Sequence, residues 1–337
     1  MLRCEYLLLL LGLLVILAGC AAGMSTGAPA AVADWAIAIH GGAGTLDRSA
    51  PAAEQQEHLD ALRAALTAGR DRLARGDAAL DVCEAVVRML EDDPHFNAGK
   101  GAVFNEKGQH ELDASIMDGS TLACGAVAGV RTVKNPVSLA RLVMTKTPHV
   151  LLAGDGAEEF ATAMGVERVP NEWFDTEARR RAWERWRREQ GGTAHQPRRV
   201  RDGYGTVGCV ARDRQGRLAA ATSTGGLTGK KWGRVGDTPV LGAGNWADGF
   251  AAVSGTGTGE EFIRHAVART VAARMHFAGE SLAAAVDAVV FHTLRKDDGG
   301  VIAVDRAGNL AAAYNSEGMY RGLADSNGRF EVRMFER

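Results

Sequence analysis

Threonines recur inside glycine-rich runs of this sequence: Gly205-Thr206-Val207-Gly208, Ser223-Thr224-Gly225-Gly226 and Gly255-Thr256-Gly257-Thr258-Gly259. Between the last two lies Gly233-Arg234-Val235-Gly236-Asp237. Singly, each is ordinary. Glycine–threonine turns are common, and an Arg and an Asp three apart are usually a surface pair. Together they describe a chemistry. A threonine hydroxyl is a poor nucleophile without a nearby base. If the peptide bond before it is cut, its own α-amine, with an unperturbed pKa of about 7.7–8.0, supplies that base. Gly205 suits such a cut, because a residue without Cβ exposes its carbonyl and tolerates strained dihedrals. Further hydroxyls and glycine amides would orient the nucleophile and bind an oxyanion. Arg234 would clamp a carboxylate and Asp237 an ammonium, which together read an α-amino acid head group.

Other chemistries lack their residues. The chain has no G-x-S-x-G elbow, P-loop or H-E-x-x-H. The run His40-Gly41-Gly42-Ala43-Gly44 resembles an esterase oxyanion loop, but without the matching serine elbow. Cys83, Cys124 and Cys209 are too far apart for a disulfide framework or zinc spacing and read as small buried hydrophobes. A net charge of −2 gives no field toward nucleic acid or acidic lipid. The 42 glycines in 337 residues exceed the usual share of about 7%. They are unperiodic and sit inside apolar runs, so they mark tight turns and close backbone approach rather than collagen or linker.

These residues need strands and helices to hold them. Trp35–His40, Glu111–Met117, Ala123–Val130, Leu218–Thr224, Val240–Ala243, Val301–Asp305, Leu310–Tyr314 and Phe330–Met334 read as strands, with another beginning at Thr206. Glu54–Arg75, Ala78–Asp92, Pro136–Lys146, Ala157–Met164, Glu260–Phe277 and Ser281–Leu294 read as helices. Asp213–Gly216 and Asp305–Gly308 suit hairpins. Strands paired by hairpins, with helices grouped between them, predict antiparallel sheets covered by helices, an α+β fold. Thr176–Gly203 interrupts this order, with nine arginines between 179 and 201 around Trp183 and Trp186. With the net charge against nucleic acid, it reads as a solvated helix and loop leading to Gly205.

The first residues stand apart. Leu7–Leu17 is apolar behind Arg3 and ends in Leu17-Ala18-Gly19-Cys20, which resembles a bacterial lipoprotein signal with Cys20 acylated after cleavage. The expected organisation is a leader over 1–20, a tether over 21–33 and a single domain over 34–337. Localisation would be extracytoplasmic, in the periplasm or cell envelope, on a lipid anchor. Cys4 would leave with the leader.

At the threonine runs the chain resembles the plant-type asparaginase / isoaspartyl peptidase family of N-terminal nucleophile hydrolases. The resemblance covers nearly everything after the leader. It runs through Ile39–Gly44, Phe96–Gly101, Glu111–Gly119 and Gly125–Val130, then Gly205–Gly208, Ala221–Gly226, Gly233–Asp237 and Gly255–Glu260. It implies a four-layer αββα sandwich made as a precursor and cut between Gly205 and Thr206, giving an α chain to 205 and a β chain 206–337. Thr206 would be the nucleophile, Thr224 its hydrogen-bond partner, and Thr256 with the Gly257 amide the oxyanion site. Arg234 and Asp237 would hold the substrate's carboxylate and ammonium, with Gly257 and Gly259 completing the pocket and Asn97 supporting the nucleophile. Leu90, Glu91, Asp93, Phe96, Ala98 and Lys100 match positions whose carbonyls wrap a sodium ion in the family. Catalysis would need no cofactor, and the mature form would be a dimer of α/β units.

The implied reaction is hydrolysis of an amide on the β-carboxyl of aspartate, in asparagine or a β-aspartyl peptide. A glycosylasparaginase-type amidase is the alternative within the fold, disfavoured by the Gly–Thr rather than Asp–Thr junction. An uncleaved amino-acid- or peptide-binding lipoprotein is the alternative outside enzymes. The complete set Thr206, Thr224, Arg234, Asp237 and Thr256 speaks against it. Three features depart from the family pattern: Tyr204 before the junction, a short Gly244–Gly249 loop, and Gly255 before Thr256.

Overall fold

A computed structural model describes residues 32–44, 48–190 and 205–336. The expected leader, Cys20 and nearly all of the tether lie outside these residues, as do 191–204, which include Arg198, Arg199, Arg201 and Tyr204. Ala33–Arg337 forms one compact unit.

Two sheets form its centre. The larger takes β1 (Ala36–Gly44), β2 (Leu112–Asp118), β3 (Cys124–Val130), β4 (Leu151–Ala153), β5 (Val207–Arg212), β6 (Leu218–Thr224), β11 (Gly318–Asp325) and β12 (Phe330–Arg333), in the order β12-β11-β1-β5-β6-β2-β3-β4. The smaller takes β7 (Asn245–Ala247), β8 (Ala251–Gly257), β9 (Gly299–Asp305) and β10 (Leu310–Tyr314), ordered β10-β9-β8-β7. Pairing is antiparallel except between β3 and β4. Helices α1 (Ala52–Arg75), α2 (Ala79–Asp92), α3 (Pro136–Lys146) and α4 (Gly154–Ala163) share a core with the large sheet. Helices α7 (Val267–Ala278) and α8 (Leu282–His292) share one with the small sheet. The result is the expected αββα sandwich.

Strand alternation builds the layers. Along β1, Ile37 and Ile39 face Leu62 and Leu66 of α1 and Val82 and Val86 of α2. Ala36 and Ala38 face the other sheet, where Ala252, Ile302 and Val304 meet them. Both faces are buried, so β1 reads as a continuous apolar run. The hairpin expectations hold: Gly216 N–H donates to Asp213 O at 2.9 Å and Gly308 N–H to Asp305 O at 3.0 Å, each glycine at positive φ.

Several boundaries differ from expectation. β1 continues past His40 through the glycines, with a bulge between His40 and Gly42. Val240–Ala243 is no strand; it turns at Gly242 (φ +93°), and pairing starts at Asn245. Glu260–Phe277 is two helices, α6 (Gly259–Arg264) and α7, separated by Ala266 at φ 44°. The break lets the first amides of α7 donate outward, Ala268 N–H to Ala243 O at 3.0 Å and Arg269 N–H to Gly242 O at 2.8 Å. One helix end thus satisfies the carbonyls of the turn that failed to become a strand. Strands β4, β7, β8 and β11 had no expectation, although β8 carries Thr256 and Gly257. The basic stretch forms α5 (Glu177–Gln190), which is less solvated than expected because Trp186 is buried.

Candidate active site

The glycine–threonine runs converge where central strands of the two sheets end. Thr206 lies just before β5, buried, and its hydroxyl donates to Thr224 Oγ1 at 3.1 Å. Thr224 closes β6, and its oxygen also accepts Gly226 N–H at 3.0 Å. The Gly205 carbonyl, on the peptide bond expected to be cut, accepts Asn97 N–H at 3.1 Å. The Asn97 side chain binds the neighbouring turn, donating to Gly226 O at 2.8 Å and accepting from Val103 N–H at 3.0 Å. Across the gap, the β1 bulge brings Gly42 (φ +117°) against Gly205; a Cβ there would lie 2.4 Å from Gly205 Cα. Only glycine permits this approach.

Thr256 and Gly257 end β8 on the opposing sheet. Thr256 Oγ1 accepts Ala43 N–H at 3.1 Å, joining it to the β1 glycine run. Gly257 has φ +155° and packs on Asp298 O, 2.0 Å from where a Cβ would stand. Gly255 has a local reason: a side chain there would meet Phe262 Cε1 at 2.6 Å. Phe262 already fills the space a bulkier residue would occupy.

Arg234 and Asp237 come together under Gly259, whose Cβ position is 2.7 Å from Arg234 Nη2 and 2.9 Å from Asp237 Oδ1. Arg234 is held by Glu260, through Nε to Oε1 and Nη2 to Oε2 at 3.0 Å each. Its Nη1 edge points toward Gly226, so the chain of contacts from Thr206 through Thr224 and Gly226 ends at the guanidinium. Asp237 is buried, and its Oδ2 has no hydrogen-bond partner among the described residues. Burial pushes its carboxyl up to about 7, with the Arg234 charge pulling the other way. Gly244 makes room for that oxygen, a Cβ there falling 2.6 Å from it.

The loop after α2 folds back on the helix end. A Cβ on Gly99 would lie 2.1 Å from Glu91 O, and one on Gly101 2.2 Å from Phe96 O. The two glycines thus bring the backbone close to the Glu91 and Phe96 carbonyls, within the stretch that contains Leu90, Asp93, Ala98 and Lys100. The oxygen of Ala98 already accepts Gly101 N–H at 3.2 Å. No group of three or more His, Cys, Asp or Glu side chains suited to a metal occurs among the described residues, so a cation here would rest on backbone oxygens. Carbonyl oxygens are hard donors, the type a hard cation takes.

Several residues here carried no sequence signal. Glu260 sits one position beyond Gly259 but looked like a helix start. Lys230 is buried behind the turn, donating to Glu111 O at 2.7 Å, with burial lowering its pKa. Asp113 pairs in register with Thr224, and burial raises its carboxyl. Helix α5 closes this side. Trp183 Nε1–H donates to Asn105 O at 2.9 Å, Trp186 packs on Gly229, and Arg179 Nε–H donates to Gly101 O at 2.8 Å.

Comparison with known proteins finds relatives over most of the chain. The family described as asparaginase matches residues 33–334. An isoaspartyl peptidase of Salmonella typhimurium is 50% identical over 296 residues, 85% of this chain and 93% of its own. A probable isoaspartyl peptidase/L-asparaginase 2 of Arabidopsis thaliana is 44% identical, covering 90% and 99% of the two chains. The isoaspartyl peptidase/L-asparaginase of Homo sapiens is 42% identical over 84% and 91%.

Proposed function

This chain belongs to the asparaginase family, and from that premise we propose that it is a threonine-nucleophile hydrolase of asparagine and β-aspartyl peptides, activated by cleavage between Gly205 and Thr206. The observation that carries this reading is the buried Asp237 carboxyl set with Arg234 under Gly259, at the end of the contact chain from Thr206. An α-amino acid head group supplies what that pair lacks, an ammonium for Asp237 and a carboxylate for the Nη1 edge of Arg234.

Processing begins with attack of Thr206 Oγ1 on the Gly205 carbonyl carbon, whose oxygen Asn97 N–H polarises. The Thr206 nitrogen takes the hydroxyl proton as the C–N bond breaks; water then cleaves the resulting ester, leaving a carboxylate on Gly205 and a free hydroxyl and α-amine on Thr206. In turnover the amine takes the hydroxyl proton as Oγ1 attacks the substrate's β-carbonyl. Thr256 Oγ1 and Gly257 N–H stabilise the oxyanion. The amine then protonates the leaving nitrogen, which departs as ammonia or as the amino end of a peptide. Water hydrolyses the β-aspartyl ester to aspartate. A sodium ion held by backbone carbonyls after α2 would brace the loop that carries Asn97. The mature unit pairs as a dimer. The leader-like segment ending at Cys20 supports an extracytoplasmic, lipid-anchored enzyme.

Purified, cleaved protein should release ammonia from asparagine and a free amino acid from a β-aspartyl dipeptide. Cleaved protein that acts on neither substrate would contradict the reading.

A further inference from the structure

Behind Thr206 runs a row of buried polar groups that the scheme above does not use. His40 Nδ1 lies 2.9 Å from the Thr206 carbonyl oxygen, and its Nε2 lies 2.9 Å from Ser254 Oγ. Ser254 Oγ lies 2.7 Å from Thr222 Oγ1. His40, Ser254 and Thr222 are fully buried. Gly208 opens the space for them, since a Cβ there would stand 2.0 Å from Ser254 Oγ and 2.4 Å from His40 Nε2.

Proton placement follows from the chemistry of the groups. A carbonyl oxygen only accepts, so Nδ1 carries the hydrogen. Burial lowers the imidazole pKa to about 3, so the ring is neutral and Nε2 is a bare acceptor. Ser254 must then donate to Nε2, and its oxygen takes the hydroxyl hydrogen of Thr222. The Gly244 carbonyl competes for that hydrogen only at 3.3 Å. The row therefore has one polarity, from Thr222 through Ser254 and His40 to the Thr206 carbonyl.

We propose that His40, oriented by Ser254 and Thr222, is a positioning residue that seats Thr206 after cleavage has made it a chain end. The inference rests on Thr206 being the terminal nucleophile. In the intact chain Thr206 is held from both sides, with Asn97 gripping the Gly205 carbonyl. Cleavage removes the upstream tether. The β5–β6 ladder begins at Val207, paired with Ser223, and so leaves Thr206 outside it. Chain ends fray unless tied down. Thr206 carries its amine, hydroxyl-bearing Cβ and carbonyl on one Cα. A donor fixed on the carbonyl therefore fixes the directions of base and nucleophile together.

The test compares wild type with His40→Asn, His40→Leu and Ser254→Ala in the full chain. Cleavage is followed by intact mass, and kcat and KM are measured with a β-aspartyl dipeptide. His40→Asn places an amide N–H near the Nδ1 position and should keep kcat within about tenfold. His40→Leu should lower kcat about 100-fold, the cost of a misplacement of about 1 Å, with KM within about threefold because His40 does not touch substrate. Ser254→Ala, which leaves the ring but withdraws its orienting donor, should lower kcat about tenfold at unchanged KM. Nitrogen NMR of histidine-labelled wild type, assigned by the signal lost in His40→Asn, should show Nδ1 protonated and Nε2 bare. Wild-type kcat in His40→Leu or Ser254→Ala, or a hydrogen on Nε2, would overturn the proposal. If His40→Leu does not fold or cleave, Ser254→Ala and the NMR signal decide. An inert, uncleaved wild type would instead remove the functional reading itself, and this proposal with it.

Discussion

Arg234 is gripped by Glu260 along one edge before any substrate arrives. That pairing fixes the guanidinium so that its other edge is presented without a search of rotamers. Arg234→Ala should raise KM for asparagine about 10- to 100-fold, as expected for a lost charged contact, with a smaller effect on kcat. Burial holds the Asp237 carboxyl up at about 7, and in the proposed site only its ionised form would hold an ammonium. KM should therefore climb as pH falls through about 7, and Asp237→Asn should show a high KM with that limb gone. A flat KM between pH 6 and 8 in the wild type would remove Asp237 from the head-group site. For stability the sign reverses. Above the ordinary carboxylate pKa the unfolded chain loses this proton first, so the group costs stability as pH rises toward 7. Thr206, Arg234 and Asp237 were legible as candidates because glycines stand beside them and the types are chemically distinctive. His40, Ser254 and Thr222 were not, because they lie 214 and 32 positions apart and meet only through the fold.

The site exists because particular elements stop short or bend. β1 does not end at His40 but bulges and continues, bringing Gly42 onto Gly205. Gly42→Ala should block this approach, and the variant should stay uncleaved on a denaturing gel. Rapid cleavage of Gly42→Ala would show that the bulge does not support processing. Helix α5 is tied to the turn before Arg234 through Trp186 on Gly229. Trp186→Ala should cost about 3 kcal/mol or more in denaturant unfolding, and should raise KM through the loosened turn. Periodicity found α1, α2, α3 and β6 nearly to the residue, because each has a full apolar stripe or a doubly buried run. It missed the break at Ala266, because the cause lies in the carbonyls of Gly242 and Ala243 rather than in the helix's own sequence. It missed β11 because glycine, arginine and tyrosine within it mask a strand held between β1 and β12.

Across the whole molecule, the cut falls inside a shared sheet. Strand β1 of the upstream chain lies between β11 and β5 of the downstream chain, and β6 of the downstream chain pairs with β2 of the upstream one. The two products should co-purify and unfold in one transition, parting only in denaturant; separation in native buffer would contradict that interleaving. The central claim, that Thr206 becomes an amino-terminal nucleophile, is tested most directly by intact mass of the purified protein after incubation at neutral pH. The account predicts a fragment of about 14 kDa beginning at Thr206, from its share of the 35.6 kDa chain, and its absence from Thr206→Ala. A wild-type chain that stays whole, or a Thr206→Ala chain that still yields two pieces, would contradict it.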